Sequence, residues 1–499
     1  MLLLDYKICL IEIQSMFNRE SLGMKTKGEW KERYMGKHKL PDDFFFGAAM
    51  SGPQTEGAFN KDGKLKNIWD TWSDLNIDDF YNRVGSYVGN DFYNRYEEDI
   101  ALMKSLGLDS FRTSIQWSRL LDQDGKINPA GEAFYHKVFA SAKANHIDVF
   151  VNLYHFDMPD YLFRRGGWEN REVVEAYARY ARLAFEAFGQ EVDHWFTFNE
   201  PIVEPEMRYL EGQWYPFIKD IGRSLNTQYN ISLAHSLAVR EFRRAKAAGA
   251  LGAGASIGLI NCFAPPYTRE DPTAADLEAV RMTDGIHNRW WLDLVAEGHL
   301  PADVLATLEH RGITIDRRPG DDAIFAEGRV DWLGFNYYQP VRVQAPEADT
   351  DENGLPVFSR PYIWPERKMN VYRGWEIYPK GIYDFGMKLR NDYPDLTFFI
   401  SENGMGVEHE DRFKNEAGEI QDDYRIEFVQ DHLAWVARAI EEGAHCVGYH
   451  YWGLIDNWSW NNAFKNRYGF VEVNLMDGYN RKLKKSAHWI KTVIKTKEV

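Results

Sequence analysis

Two glutamates in this chain each stand directly after a short apolar run. Glu200 follows His194-Trp195-Phe196-Thr197-Phe198-Asn199, and Glu402 follows Phe399-Ile400-Ser401 and precedes Asn403-Gly404. Paired carboxyl groups on either side of a bond can work at an acetal carbon: one protonates the leaving oxygen, while the other, ionised, attacks or activates water. In the retaining version the two stand about 5 to 5.5 Å apart and the second forms a covalent glycosyl intermediate. This division of labour needs surroundings that push the two pKa values apart. Taken singly, a glutamate after a strand is more often a solvated loop residue or a helix N-terminal charge, and Asn403-Gly404 is a common turn. The neighbouring run ends reverse that reading: they carry Arg112, His155, Asp157, Asn336, Tyr337, Tyr338, Trp452 and Asp456. The expectation is Glu402 as nucleophile, kept charged by Arg112 and oriented by Tyr338, with Glu200 as general acid/base.

Something must bring these residues together. Eight runs rich in β-branched and aromatic residues recur along the chain: Phe44–Ala49, Ser110–Trp117, Ile147–Tyr154, His194–Asn199, Ala255–Cys262, Val330–Tyr337, Thr397–Ser401 and Cys446–Leu454. Stretches with helical spacing separate them. Phe92, Tyr96, Ile100 and Met103 mark one apolar stripe, and Ile426, Val429, Leu433, Val436 and Ile440 mark another. Gly107 and Gly443 follow where C-terminal caps belong. Alternating strands and helices predict an α/β fold, a (β/α)8 TIM barrel, because an open sheet of this size would show a glycine-rich nucleotide loop and none is present. Such barrels build their sites at the C-terminal ends of the strands, where the polar residues named above fall. Residues 40–499 are expected to form this single catalytic domain, with loop insertions at the C-terminal mouth. Ala345 to Arg373 reads as an extended loop over that mouth. Residues 1–39 read as a poorly ordered N-terminal extension, with Met24 or Met35 as alternative starts.

The 499 residues are 44% hydrophobic and 27% charged, enough apolar material for a large core. Aromatics reach 15%, which suits a barrel interior and also suits stacking on the flat faces of sugars. A net charge of -16 without Lys/Arg blocks argues against nucleic-acid or anionic-membrane binding. Cys9, Cys262 and Cys446 are too scattered for a disulfide framework or a metal knuckle, and a reducing cytoplasm fits. Asp5, Lys7 and Glu12 interrupt the apolar start, against a signal peptide, and no other run approaches a membrane span. No His/Cys/Asp set has metal spacing, and no cofactor is expected.

The motifs resemble those of glycoside hydrolase family 1. Thr197-Phe198-Asn199-Glu200-Pro201 is similar to its acid/base motif and Ile400-Ser401-Glu402-Asn403-Gly404 to its nucleophile motif. The likeness extends through Phe46-Gly47-Ala48-Ala49, Phe111-Arg112-Thr113-Ser114-Ile115, Leu153-Tyr154-His155-Phe156-Asp157-Met158-Pro159, Asn336-Tyr337-Tyr338 and the segment from Trp452 to Trp460. It implies a sugar site of Gln54, His155, Asn199, Trp452 and Trp460, with Trp375 as a platform for the leaving group. Family members acting on unmodified glucosides carry glutamate where this chain has Ser459, and a glutamate would repel a 6-phosphate. The 6-phospho-β-glucosidase and 6-phospho-β-galactosidase members resemble this chain, with serine there. The implied phosphate pocket is Ser459, Lys465 and Tyr468. The chain departs from the better-known pattern in one respect: Asn466 stands where lysine precedes the Arg-Tyr pair, and Lys465 comes one residue earlier. A tryptophan at 460 often accompanies 6-phosphogalactosides, whereas Met50-Ser51-Gly52-Pro53-Gln54 and Lys465-Asn466-Arg467-Tyr468 look more like enzymes for 6-phosphoglucosides. The implied activity is retaining hydrolysis of 6-phospho-β-glucosides in the cytoplasm. The alternatives are a galactoside or dual specificity, an ordinary β-glucosidase or β-galactosidase, and, from another class, a non-catalytic sugar-binding barrel. The implied partner is a small phosphorylated β-glycoside, with no nucleic acid and no membrane, and homo-oligomerisation stays open.

Overall fold

The computed structural model describes residues 38–499. Eight parallel strands close into a barrel, each paired with its successor and the last with the first. They are β1 (Phe45–Ala49), β2 (Ser110–Ser114), β3 (Asp148–Asn152), β4 (His194–Asn199), β5 (Ser256–Cys262), β6 (Trp332–Asn336), β7 (Phe398–Glu402) and β8 (Cys446–Trp452). All eight expected runs are strands. Several are shorter than the apolar pattern suggests, because the polar ends peel away into the mouth: Trp117–Leu120, for example, is a helical turn.

The eight-stranded barrel and its helices follow from residue chemistry. One aromatic knot of Phe150, Phe196, Ile260 and Phe399, with Phe45, Trp332 and Val447 against it, fills the barrel interior. Rings such as Phe150 and Phe399 sit 5.4 Å apart, so part of the unusual aromatic content is barrel filling. Outward-facing residues pack on the surrounding helices, among them α1 (Phe92–Leu106), α2 (Pro129–Ala144), α3 (Arg171–Phe188), α4 (Ile221–Ala247), α5 (Lys380–Asp392), α6 (Asp423–Glu441) and α7 (Lys485–Thr496). Gly107 ends α1 in the left-handed conformation, φ 85°. At the start of α2, Asn128 caps the first turn and Pro129 fills a position whose N–H needs no partner.

Two features position the mouth. The pairing register shifts at the end of β4, between Phe196 and Asn199, and at the end of β7, between Ile400 and Glu402. Such irregularities re-aim side chains at a strand end. Between β6 and α5 the chain returns over the mouth: Val343 and Gln344 pair with Pro361 and Arg360, and a small hairpin pairs Met369 with Glu376 and Asn370 with Trp375. The stretch read as an extended loop, Ala345 to Arg373, therefore carries paired segments. The N-terminal extension lies outside the described residues except for His38 and Lys39, which pair with the chain end at Val499 and Glu498. Among the described residues no helix is long and apolar enough to cross a membrane.

Candidate active site

Glu402 is the last residue of β7 and 4% exposed. Its Oε1 accepts from Arg112 Nη2 at 2.6 Å and its Oε2 from the Tyr338 hydroxyl at 2.5 Å. Arg112, in β2, is fully buried and also donates to the Ser401 carbonyl (3.0 Å) and to Asn199 Oδ1 (2.9 Å). Glu200 follows β4 with its backbone at φ 45°, a left-handed conformation that costs a non-glycine residue energy and is typical of functional sites. Its N–H is fixed by the Ile260 carbonyl at 2.8 Å, and its Oε1 accepts from Asn336 Nδ2 at 2.9 Å.

Asn336, at the end of β6, ties the two acids together. Its amide donates to Glu200 and to Asn199 Oδ1 (3.1 Å), interacts with Glu402, and its own oxygen accepts from Ser401 Oγ at 2.6 Å. Burial pushes the Glu200 carboxyl up, and the neighbouring Glu402 charge pushes it further, to about 8. Burial also raises Glu402, but Arg112 and the Tyr338 hydroxyl hold it back. Both carboxyls are raised, and the guanidinium and phenol on Glu402 oppose its rise, so a proton is better accommodated on Glu200 than on Glu402.

The other expected site residues fall around this centre. His155 shares a hydrogen bond with Asn199 Nδ2 at 3.1 Å and is kept neutral, first by burial and then by Arg112. Its ring lies nearly parallel to those of Trp452 and Trp460, at 6.0 and 5.9 Å. Trp460 stacks on Trp69 at 4.5 Å. Gln54 donates to the Trp458 carbonyl at 2.8 Å and so braces the loop bearing Ser459 and Trp460. Trp375 packs on Tyr338 at 5.2 Å. Ala49, Trp452 and Tyr468 form a cluster against Tyr338 and Trp375. Tyr468 is buried, and its hydroxyl interacts with Ser459.

Lys465 is placed elsewhere. Its Nζ pairs with Glu408 at 3.2 Å and lies 5.9 Å from the Tyr81 ring, lining a separate cavity with Arg467 and Glu472. The loop turns it outward because Asn466 and Arg467 pair with Glu408 and Val407, leaving Lys465 at the strand's outer start. Asp456, counted among the mouth residues, instead accepts from Lys484 at 3.0 Å and from the Gly469 N–H.

The strand pattern leaves out two neighbours of the centre, His287 and Arg373, and assigns no role to a third. Asn336 was noted only as a strand-end residue. His287 bonds Glu206 at 3.1 Å and the Cys262 carbonyl at 2.9 Å, and its charge opposes the rise of Glu200. Arg373 lies over the Trp375 ring at 4.2 Å and reaches the Tyr468 hydroxyl. An arginine two residues before a platform tryptophan was the available signal for the last.

Residues 36–499 match the family described as glycosyl hydrolase family 1. The chain is 46% identical over 461 residues to the 6-phospho-beta-glucosidase GmuD of Bacillus subtilis, covering 92% of this chain and 98% of that protein. It is 33% identical to a 6-phospho-beta-galactosidase of Staphylococcus haemolyticus, with 92% and 99% covered. The solved beta-glucosidase of Thermotoga maritima in complex with glucoimidazole superposes with a TM-score of 0.82 at 30% identity, covering 92% and 99% of the two chains. The chain therefore belongs to glycosyl hydrolase family 1 and is a glycosidase.

Proposed function

We propose that the protein is a retaining 6-phospho-β-glucosidase in which Glu402 is the nucleophile and Glu200 the general acid/base. The observation that carries this is the asymmetry of the pair: Glu402 is held by a guanidinium and a phenol, while Glu200 has one amide and a pKa near 8. In the first step the Glu402 carboxylate attacks the anomeric carbon as the bond to the leaving oxygen breaks, and the Glu200 proton moves to that oxygen. In the second, Glu200, now ionised, takes a proton from water, whose oxygen displaces Glu402 from the anomeric carbon. Two inversions return the β configuration. His155, Asn199 and Gln54 would bind the sugar hydroxyls, Trp452 and Trp460 would enclose the ring, and Trp375 would face the leaving group.

Phosphate specificity is supported by Ser459. Its small hydroxyl beside that of Tyr468 leaves room and donors where a carboxylate would repel a dianion. The greater identity to the 6-phospho-beta-glucosidase than to the 6-phospho-beta-galactosidase favours the glucoside. Trp460 is the one observation that favours the galactoside as a second reading. The test is a parallel assay on the nitrophenyl β-glucoside, β-galactoside and their 6-phosphates. The expected order of kcat/KM puts the glucoside 6-phosphate first, and a preference for either unphosphorylated substrate contradicts it.

A further inference from the structure

We propose that Arg373 supplies the positive charge that receives the sugar 6-phosphate, on a loop separate from the segment that carries Ser459 and Tyr468. The proposal rests on the reading of the substrate as a 6-phosphoglycoside and assigns the cation that such a site needs. Two neutral hydroxyls satisfy part of a phosphate's acceptor capacity and none of its charge. Lys465 does not fill that need, because Glu408 engages it in another cavity. Asn466 cannot, being neutral; its amide instead points to the Tyr372 carbonyl at 3.4 Å, the residue before Arg373. That contact links the serine–tyrosine segment to the Arg373 hairpin.

Arg373 is prepared for a ligand. Its backbone is set in the Met369–Glu376 hairpin, with its N–H on the Asn370 carbonyl at 3.3 Å and Gly374 at φ 71° completing the turn. The guanidinium lies 4.2 Å from the centre of the Trp375 ring. Stacking orients the plane of the guanidinium, whose Nη groups are the kind of donor that phosphate oxygens accept from. Nε is shielded from solvent with no hydrogen-bond partner, and among the described residues Arg373 forms no ion pair. The group it does meet is the Tyr468 hydroxyl, itself beside Ser459. A guanidinium without a carboxylate, at the edge of two hydroxyls and next to the Tyr338–Trp375 wall, is a dianion site. Trp375 would thereby serve both the leaving group and the arginine.

The experiment compares the ratio of kcat/KM on nitrophenyl β-glucoside 6-phosphate to that on nitrophenyl β-glucoside in the wild type and in Arg373→Met, Arg373→Lys and Lys465→Met, with thermal melting to check folding. Arg373→Met should lower the ratio by about 100-fold, mainly through KM for the phosphorylated substrate, the scale of losing one partner of a shielded charged hydrogen bond. Arg373→Lys should recover part of it, and Lys465→Met should keep the wild-type ratio. An unchanged ratio in Arg373→Met, an equal loss on both substrates, or a collapse in Lys465→Met overturns the assignment while leaving the phosphoglycosidase reading intact. A wild type without preference for the phosphate removes that reading, and this inference with it. Should Arg373→Met fail to fold, Arg373→Gln, which keeps a neutral hydrogen-bond donor and removes the charge, gives the same comparison.

Discussion

Two chemically identical side chains are made different by what touches them. Glu402 receives a cation and a phenol, and Glu200 receives an amide and the repulsion of Glu402. Replacing Glu402 by Gln removes the proposed nucleophile while keeping its shape, so turnover should fall by about 10⁴-fold or more, measured as initial rates on the favoured nitrophenyl substrate. The pH profile has a definite sign. Glu200 must be protonated for the first step, so kcat/KM should hold near neutrality and decline about tenfold per unit as pH rises through about 8, where that proton is lost. In Glu200→Gln the alkaline limb should vanish, and its persistence would assign that limb to another group.

At the scale of strands and loops, function depends on ends that deviate from regular pairing. A Cβ on Gly404 would stand 1.9 Å from the Trp452 carbonyl oxygen, so the turn after Glu402 approaches β8 more closely than any side chain allows. Gly404→Ala should therefore destabilise the protein by about 1–3 kcal/mol, the usual cost of overpacking, and displace Glu402. A lowered melting temperature together with lowered kcat checks both. The strands and the residues that end them were legible in sequence, because apolar runs broken by single Glu, Asn, His and Arg residues survive folding as strand ends: Glu200, Glu402, Asn199 and Asn336 were all visible that way. Loops were not legible in the same sense. Whether Lys465 or Arg373 faces the Tyr468 hydroxyl depends on which hairpin pairs where, and the pairing of Asn466 with Glu408 turns Lys465 outward. Three-dimensional proximity of residues about ninety apart leaves no periodic trace.

Across the whole molecule, the barrel must hold its last helix and mouth loops against the cost of burying charge. Lys484, fully buried just before α7, donates to Glu410 at 2.5 Å and Asp456 at 3.0 Å, and Arg425 of α6 binds Glu410 and Asp422. Burial would raise the Asp456 carboxyl, but Lys484 and Arg467 outweigh it and hold it below the usual range. Removing one member strands the others without solvent. Lys484→Met should cost about 3–5 kcal/mol in urea unfolding, whereas a pair of this kind at the surface would cost under about 1 kcal/mol. The same closed frame brings Glu200 and Glu402, on strands well separated in sequence, to a common partner in Asn336, and the proposed function has the two act on one substrate. The most direct test is intact-mass and peptide analysis after incubation with a 2-deoxy-2-fluoro-β-glucosyl 6-phosphate carrying a good leaving group, since fluorine slows release of a covalent sugar. The prediction is one added phosphoglucosyl unit, located on Glu402. A label on a different residue, or turnover with no adduct and first product of the α configuration, contradicts it.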